Sequence, residues 1–448
     1  MSAHWRNAPC PCGSGKKAKH CCGSRADPSV DAPGAWLHGM DERLVGEMVA
    51  FGHQRFGREW LTEPTEAYFP LRRFEREDFQ LFMPWVVNHW RVEGRPMREW
   101  FLEERGDRLR EVERGWLQAQ AAAVVTLWEV RQVREGEGVG VKDLLGGEER
   151  FVHEVRGSRM VQLRDVMLGR VVDYEGLSVF CGMHPNTLPP RAAHEVERTA
   201  RRALRVRSGG VPHRKLAGDG VALGLIHLWM TEVLELELQP PPTLVNTDGE
   251  LLLLTADDFT FSAKVRTRVL EALLSLEGAE LNQEGVPADI SFLKSGNAMH
   301  ASWDNTLVGS ARVAEASLRL ETNSVERADA LRARVEAACA GLLTHRKREH
   351  CDPEALMEAQ GEEVSEYEAP EPEMLAALRE FKAEHYAAWL DNPLPALKGK
   401  TPREAVRTAA GRREVELILK EFEHGEALLP EEERADILAL RGELGLTE

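Results

Sequence analysis

The sequence predicts an α+β multidomain chain: a cysteine knuckle, a helical segment, a small antiparallel β unit, an α+β unit and a C-terminal helical domain. Three observations carry this. The chain has 448 residues, several times a usual domain. Its apolar period switches from helical to alternating near residue 124, returns, and switches again near residue 243. Four of its seven cysteines crowd into residues 10–22.

The cysteine cluster comes first. Cys10-Pro11-Cys12 and Cys21-Cys22 are separated by eight residues, on a segment too short to hold any core. Four soft thiolates at that spacing suit tetrahedral Zn2+, so Cys10, Cys12, Cys21 and Cys22 are the expected ligands of a zinc knuckle spanning 1–22. His20 is an alternative to Cys21 or Cys22. Such a site supplies its own folding energy and is unfolded without metal. Residues 23–35 mix turn formers with small polar side chains and read as a linker.

Residues 36–120 read as helical. Leu44, Met48 and Phe51 share one face, as do Phe79, Phe82, Met83, Val86 and Trp90, and then Leu109, Val112, Trp116 and Leu117. Pro84 is expected to kink or start the second of these helices. Residues 121–238 form a β-rich, small-barrel-like unit with trailing helices. Its β-branched runs at 124–133, 151–155, 166–172 and 177–181 are parted by glycine turns at 135–138 and 174–176, and its helices fall at 191–205 and 221–238. Pro240-Pro241-Pro242 marks a boundary.

Residues 243–345 read as an α+β unit. Asp248-Gly249 signals a hairpin between Leu244-Val245 and 251–254, further strands fall in 290–321, and Ser324 caps a helix through Ala328, Leu331, Val335, Ala338 and Leu342. The acidic stretch 362–373 reads as a linker. It precedes an all-helical domain over 374–448, where Thr401-Pro402-Arg403-Glu404 is a capping box with proline at the first helical position.

Charge is unevenly placed. The first 26 residues carry five basic side chains and no acid; removing that +5 from the net of −17 leaves −22 for the rest. An acidic body repels phosphate backbones, so nucleic acid is not its expected partner. No apolar run is long enough for a membrane span, and the polar, basic start lacks a signal core, which places the protein in the cytosol.

Catalytic motifs are absent. There is no Gly-x-Ser-x-Gly, His-Glu-x-x-His or dinucleotide glycine fingerprint, and Gly13-Ser14-Gly15-Lys16-Lys17 lacks the first glycine and the hydroxyl of a phosphate loop. His345 and His350 are five apart in what reads as a solvated basic helix end, where they diverge. His184 and His300 are single histidines in turn or strand contexts, and are the first places to look if the β-rich middle holds an enzyme site. Cys181, Cys339 and Cys351 have no reactive signature nearby, and Cys339 reads as core.

Residues 7–22, Asn7-Ala8-Pro9-Cys10-Pro11-Cys12-Gly13-Ser14-Gly15-Lys16-Lys17-Ala18-Lys19-His20-Cys21-Cys22, closely resemble the SEC-C motif of the preprotein translocase tail. The resemblance implies a metal-stabilised surface that docks on a protein partner, flanked by Lys16, Lys17 and Lys19. Residues 385–425 resemble the C-terminal toxin-binding domain of ParS, Xre and MbcA type antitoxins: Trp389-Leu390, Pro395-Ala396-Leu397 before Gly399, Thr401-Pro402, and Gly411, Val415 and Leu419 at four-residue spacing. The expectation is a cytosolic zinc-binding multidomain adaptor that docks through its knuckle. The alternatives are an antitoxin-like or phage-defence-associated regulator acting through its C-terminal helices, or an enzyme with a site in the β-rich middle.

Overall fold

A computed structural model describes residues 34–70, 77–240, 243–298, 305–353, 356 and 370–446. The chain divides into two compact units, Met1–Gln239 with Pro370–Glu448, and Pro240–Ala369. Helices, several sheets and C-terminal helices are all present, the mixed architecture the periodicity predicts.

The first unit opens with a helical layer: α1 (Ala35–Phe56), α2 (Thr62–Tyr68), α3 (Phe79–Asn88), a two-strand ribbon of β1 (Arg91–Val92) and β2 (Arg95–Pro96), α4 (Met97–Arg105) and α5 (Glu111–Ala119). Leu44, Met48, Phe51, Trp116 and Leu117 are buried where their period places them. Pro84 lies inside α3 and not at its start, and Phe79, expected on that helix's apolar face, is exposed.

Five strands follow, β3 (Thr126–Arg134), β4 (Gly138–Asp143), β5 (Glu149–Val152), β6 (Val166–Tyr174) and β7 (Leu177–Leu188), and they close into a barrel in the order β3-β4-β5-β7-β6. β5 meets β7 in parallel at Val152 and Ser178; the other pairings are antiparallel. First-second-third-fifth-fourth closing on the first is the Greek-key connectivity of the OB-fold. The sheet is therefore a barrel with one parallel seam, where the expectation was purely antiparallel.

β4 was not legible, because Gly138-Val139-Gly140 reads as turn composition. The barrel needs those glycines: a Cβ at Gly138 would fall 2.2 Å from the Val152 carbonyl oxygen, and one at Gly140 would fall 3.1 Å from Gln132 Cβ. The barrel interior holds Trp128, Val130, Val139, Val141, Val152 and Phe180. Its outer face packs Leu127, Val166, Leu168 and Val172 into the core shared with α1, α3, α5, α6 (Pro190–Ala203) and α8 (Val221–Glu237), with the single turn α7 (His213–Leu216) between the last two. Alternate residues of one strand thus serve two cores.

The second unit is a six-stranded antiparallel sheet in the order β13-β8-β12-β11-β10-β9, built from β8 (Leu254–Thr260), β9 (Ala279–Gln283), β10 (Ala288–Lys294), β11 (Thr306–Val313), β12 (Ser317–Thr322) and β13 (Thr344–Cys351). Helices α9 (Arg266–Leu274) and α10 (Val325–Ala338) contribute Val269, Leu273, Leu331 and Val335 to a core with Phe259, Ile290, Phe292, Ala311 and Leu320. Ser324 caps α10 as expected, its side chain accepting from the Arg327 N–H at 3.1 Å. The expected hairpin about Asp248-Gly249 is reduced to a single bridge, Val245 to Leu251.

The C-terminal helices α11 (Pro372–Trp389), α12 (Pro402–Ala405), α13 (Ala409–Ala427) and α14 (Ile437–Glu443) belong to the first unit and have their own core.

Candidate functional site

The sequence-predicted site residues fare differently. Cys10, Cys12, Cys21, Cys22 and His20 lie outside the described residues, as does His300. Among the described residues no cluster of three or more His, Cys, Asp or Glu side chains is arranged to hold a metal.

His184 sits on β7, buried, with Nδ1 accepting from the Asn186 backbone N–H at 3.2 Å and its ring edge-on to Trp229. It borders an apolar cleft of about 940 Å³ whose lining includes Met83, Met160, Met167 and Met183. A ring held by a backbone amide and an indole is a structural arrangement more than a proton relay.

His345 and His350 are on a strand and not on a helix end, because residues 344–351 pair with β8 as an edge of the sheet. His345 Nε2 lies 2.8 Å from Asp257 Oδ1, and Arg348 reaches the same buried carboxylate at 2.7 Å. Burial pushes the Asp257 carboxyl up, and Arg348 with His345 outweighs it, so its pKa falls below the ordinary value. The basic run is thus the charged side of a sheet edge, which protects that edge from further pairing.

Cys181 is sealed in the first core, and burial, then Asp41, drive its thiol pKa well up. Cys339 packs in the second core, as expected, and burial raises its pKa also. Neither offers a thiolate at neutral pH.

The C-terminal domain explains its own motif. Pro395–Leu397 form a short 3-10 turn, Lys398 and Gly399 follow with φ of 58° and 76°, and Leu394 bridges to Lys400. Thr401 then caps α12: its hydroxyl accepts from the Glu404 N–H at 3.2 Å while the Glu404 carboxylate accepts from the Thr401 N–H at 3.1 Å. Gly411 lies where a Cβ would come 2.2 Å from the Ala405 carbonyl oxygen, so α13 crosses α12 only with glycine there. Val415 and Leu419, one and two turns on, join Trp389, Leu390 and Leu397 in the core.

What the sequence did not reveal is that α13 turns its opposite face onto the barrel. Glu129 of β3 receives Lys420 at 2.6 Å, Arg131 at 2.7 Å and Arg164 at 3.2 Å. Arg164 also reaches Glu423 at 2.5 Å, Glu423 holds Arg441 at 2.5 Å, and Arg441 continues to Glu416 at 2.7 Å. His424 meets Asp165 at 2.9 Å, and Arg191 of α6 holds Glu421 at 2.8 Å. Burial alone would raise the Glu129 carboxyl, but Lys420 and Arg164 hold its pKa below the ordinary value. The one available signal was Glu129 itself, an acid inside the apolar run Leu127-Trp128-Glu129-Val130. Elsewhere on the barrel Lys142, Arg150 and Arg159 each sit against a carboxylate, so no free cationic stripe marks it for single-stranded nucleic acid.

Comparison with known proteins divides the chain in the same way. Residues 6–24 match the SEC-C motif, and residues 381–425 match the antitoxin Xre/MbcA/ParS C-terminal toxin-binding domain. Residues 74–187, from just before α3 to the end of the barrel, match a family of unknown function, DUF7986. An uncharacterised protein of Bacillus subtilis strain 168, YccF, is 28% identical over 137 residues, covering 28% of this chain and 37% of that protein. The chain therefore spans little more than a third of that relative. No helix among the described residues is long and apolar enough to cross a membrane. The chain is thus similar to the SEC-C motif near one end, to an antitoxin toxin-binding domain near the other, and to a family of unknown function between them.

Proposed function

We propose that this protein is a zinc-binding protein-interaction adaptor of the cytosol. The observations that support the reading are the SEC-C match over residues 6–24 and the toxin-binding-domain match over residues 381–425, the second of a kind that contacts protein. The donor set fits the metal: two thiol pairs separated by eight residues offer tetrahedral, soft coordination, and Cys10, Cys12, Cys21 and Cys22 would hold one structural Zn2+. That ion supplies folding energy to its segment, not catalysis.

At the other end, α13 is engaged on both sides, by its own core and by the barrel, which leaves α11 as the surface for a partner. Met374 is 65% exposed and Phe381 45% exposed on that helix, seven residues and two turns apart. Apolar side chains on one exposed helix face suit a partner's groove. A second reading has support in the 381–425 match: the partner is a toxin-type protein, and the chain is an antitoxin-like regulator.

The test keeps the fold intact. Elemental analysis of reduced, purified protein should give one zinc per chain, lost on changing Cys10 and Cys12 to serine. Affinity capture from the native host should lose one partner set with those serines and another with Met374→Glu and Phe381→Glu combined. Metal-free protein, or partner sets indifferent to both changes, would remove the adaptor reading, and a toxin-type protein among the α11-dependent partners would select the second.

A further inference from the structure

Two arginines are buried in the first unit with no carboxylate in hydrogen-bond contact among the described residues. Arg98 of α4 is 7% exposed, its Nε has no hydrogen-bond partner, and its nearest acid is the partly exposed Glu99 at 3.7 Å. Arg170 of β6 is fully buried and donates only to neutral groups, the Cys181 carbonyl at 3.1 Å and the Gln120 carbonyl at 3.1 Å. The acid nearest Arg170, Asp41, attracts it electrostatically without a hydrogen bond: Asp41 Oδ1 accepts from Trp116 at 2.9 Å and from Gln120 at 2.6 Å.

Burial holds Arg170 down to a pKa of about 10, against the pull of Cys181 and Asp41 and with a smaller push from Arg98. Burial, then Arg170 and Arg98, keep His89 well below its ordinary pKa and therefore neutral. A protein interior does not ordinarily gather positive charge without an anion.

Beside these groups lies a cavity of about 470 Å³ whose lining includes Trp85, Asn88, His89, Trp90, Arg98 and Gln120; Glu63, Glu99 and Asp219 also line it, the last two as exposed side chains paired with Arg95 and Arg91. Three further polar atoms on its lining residues have no hydrogen-bond partner among the described residues: Asn88 Oδ1, His89 Nε2 and Gln120 Oε1. Guanidinium donors, amide acceptors and two indoles together define a ligand. The acceptors call for a hydroxyl or N–H, the guanidinium for an anion, and the indoles for a flat apolar body.

We propose that this cavity binds a small organic carboxylate with a flat apolar body and a hydrogen-bond donor, its carboxylate taken by Arg98 and its body resting on Trp85 and Trp90. The inference is independent of the adaptor reading. Trp85, Asn88, His89, Trp90, Arg98 and Gln120 fall within the stretch that matches DUF7986, while Glu63 and residues within 216–223 complete the wall from outside it; neither end module contributes.

The test uses the full chain with 4-hydroxybenzoate and benzoate as probes, and 4-hydroxybenzyl alcohol as the neutral counterpart. Millimolar 4-hydroxybenzoate should raise the wild-type melting temperature, and the alcohol should not. Arg98→Met, which keeps the stem and removes the charge, should weaken the probe's Kd by about tenfold or more while melting no lower than wild type in its absence. Arg98→Lys should recover part of the binding, and it carries the test if the methionine variant fails to fold. Neither acid moving the wild-type melt, an equal rise with the alcohol, or unchanged affinity in the lysine and methionine variants would overturn the proposal. So would a marked loss of ligand-free stability in a folded Arg98→Met, which would make the arginine structural.

Discussion

Two places in the first unit bury arginine, and they do so in opposite ways. Where α13 meets the barrel, Arg164 and Arg441 are 3% and 2% exposed at the side chain, and they share Glu129, Glu423 and Glu416 in a continuous chain of charge pairs. Behind the barrel, Arg98 and Arg170 are nearly as buried, and neither makes a carboxylate hydrogen bond. The first arrangement satisfies itself and fixes one domain against another; the second has acids only at longer range, Glu99 for Arg98 and Asp41 for Arg170, and leaves guanidinium donors open to a ligand. Buried charge of equal depth is therefore structural in one case and a binding hypothesis in the other, and the difference lies in where the carboxylates are.

The sharpest break of that contrast is at Glu423. Glu423→Gln leaves Arg164 and Arg441 buried without their shared anion and should cost about 3 to 5 kcal/mol. Urea denaturation should show it, with proteolysis releasing the C-terminal helices first. A loss below about 1 kcal/mol would mean that the network is dispensable and the contrast false.

Arg170→Met tests the other side, because that residue differs from Arg98 in capping two buried carbonyls. Its removal should destabilise by about 1 to 3 kcal/mol, even though a buried positive charge is also removed. A stabilised variant would show that charge relief outweighs the two lost donors.

Within the C-terminal domain, Gly411→Ala should cost about 1 to 3 kcal/mol by forcing α13 off α12, read as a lowered denaturation midpoint. Barrel contacts made farther along α13 should survive it.

The two clusters should also separate on acidification. His89 is neutral in the fold because burial, then Arg170 and Arg98, depress its pKa; its contribution is present above its ordinary value of 6.5 and lost as pH falls below it. One such proton changes stability by at most about 1.4 kcal/mol per pH unit. Glu129 is also depressed, from 4.5, so the ion network gives way only at lower pH. His89→Asn should flatten the stability profile in the first window and leave the second alone. A profile identical to wild type would contradict the assignment.

The smallest effect is expected at Thr401. Thr401→Ala removes one cap and should cost about 1 kcal/mol by thermal melt, with the barrel contact unchanged.

Legibility followed the distance between partners. The Thr401–Glu404 box, the Ser324 cap, the helices after the barrel and the Gly411-Val415-Leu419 face could all be read, since each rests on residues a few positions apart. β4 and β13 could not. Gly138 and Gly140 have turn composition but are chosen by the closeness of β5 and β3, and 344–351 looks like a basic helix end until β8 is beside it. The candidate pocket had a faint trace in Arg170, a charge inside Val166-Met167-Leu168-Gly169-Arg170-Val171-Val172 on the same alternation as Val166, Leu168 and Val172. Arg98 and His89 had none.

By itself the sequence determined most of the order of helical and extended segments, β4 and β13 excepted, several of their caps, and a cysteine spacing suited to metal. These depend on backbone preference and on neighbours within a turn or two, which the chain carries wherever it goes. Tertiary structure alone decided that Arg164 meets Glu423 across 259 positions and Lys420 meets Glu129 across 291, and that Arg98 and Arg170 converge where no carboxylate hydrogen-bonds them. Whether a buried charge is satisfied depends on which side chains the fold brings within a few ångströms, and no local pattern encodes that.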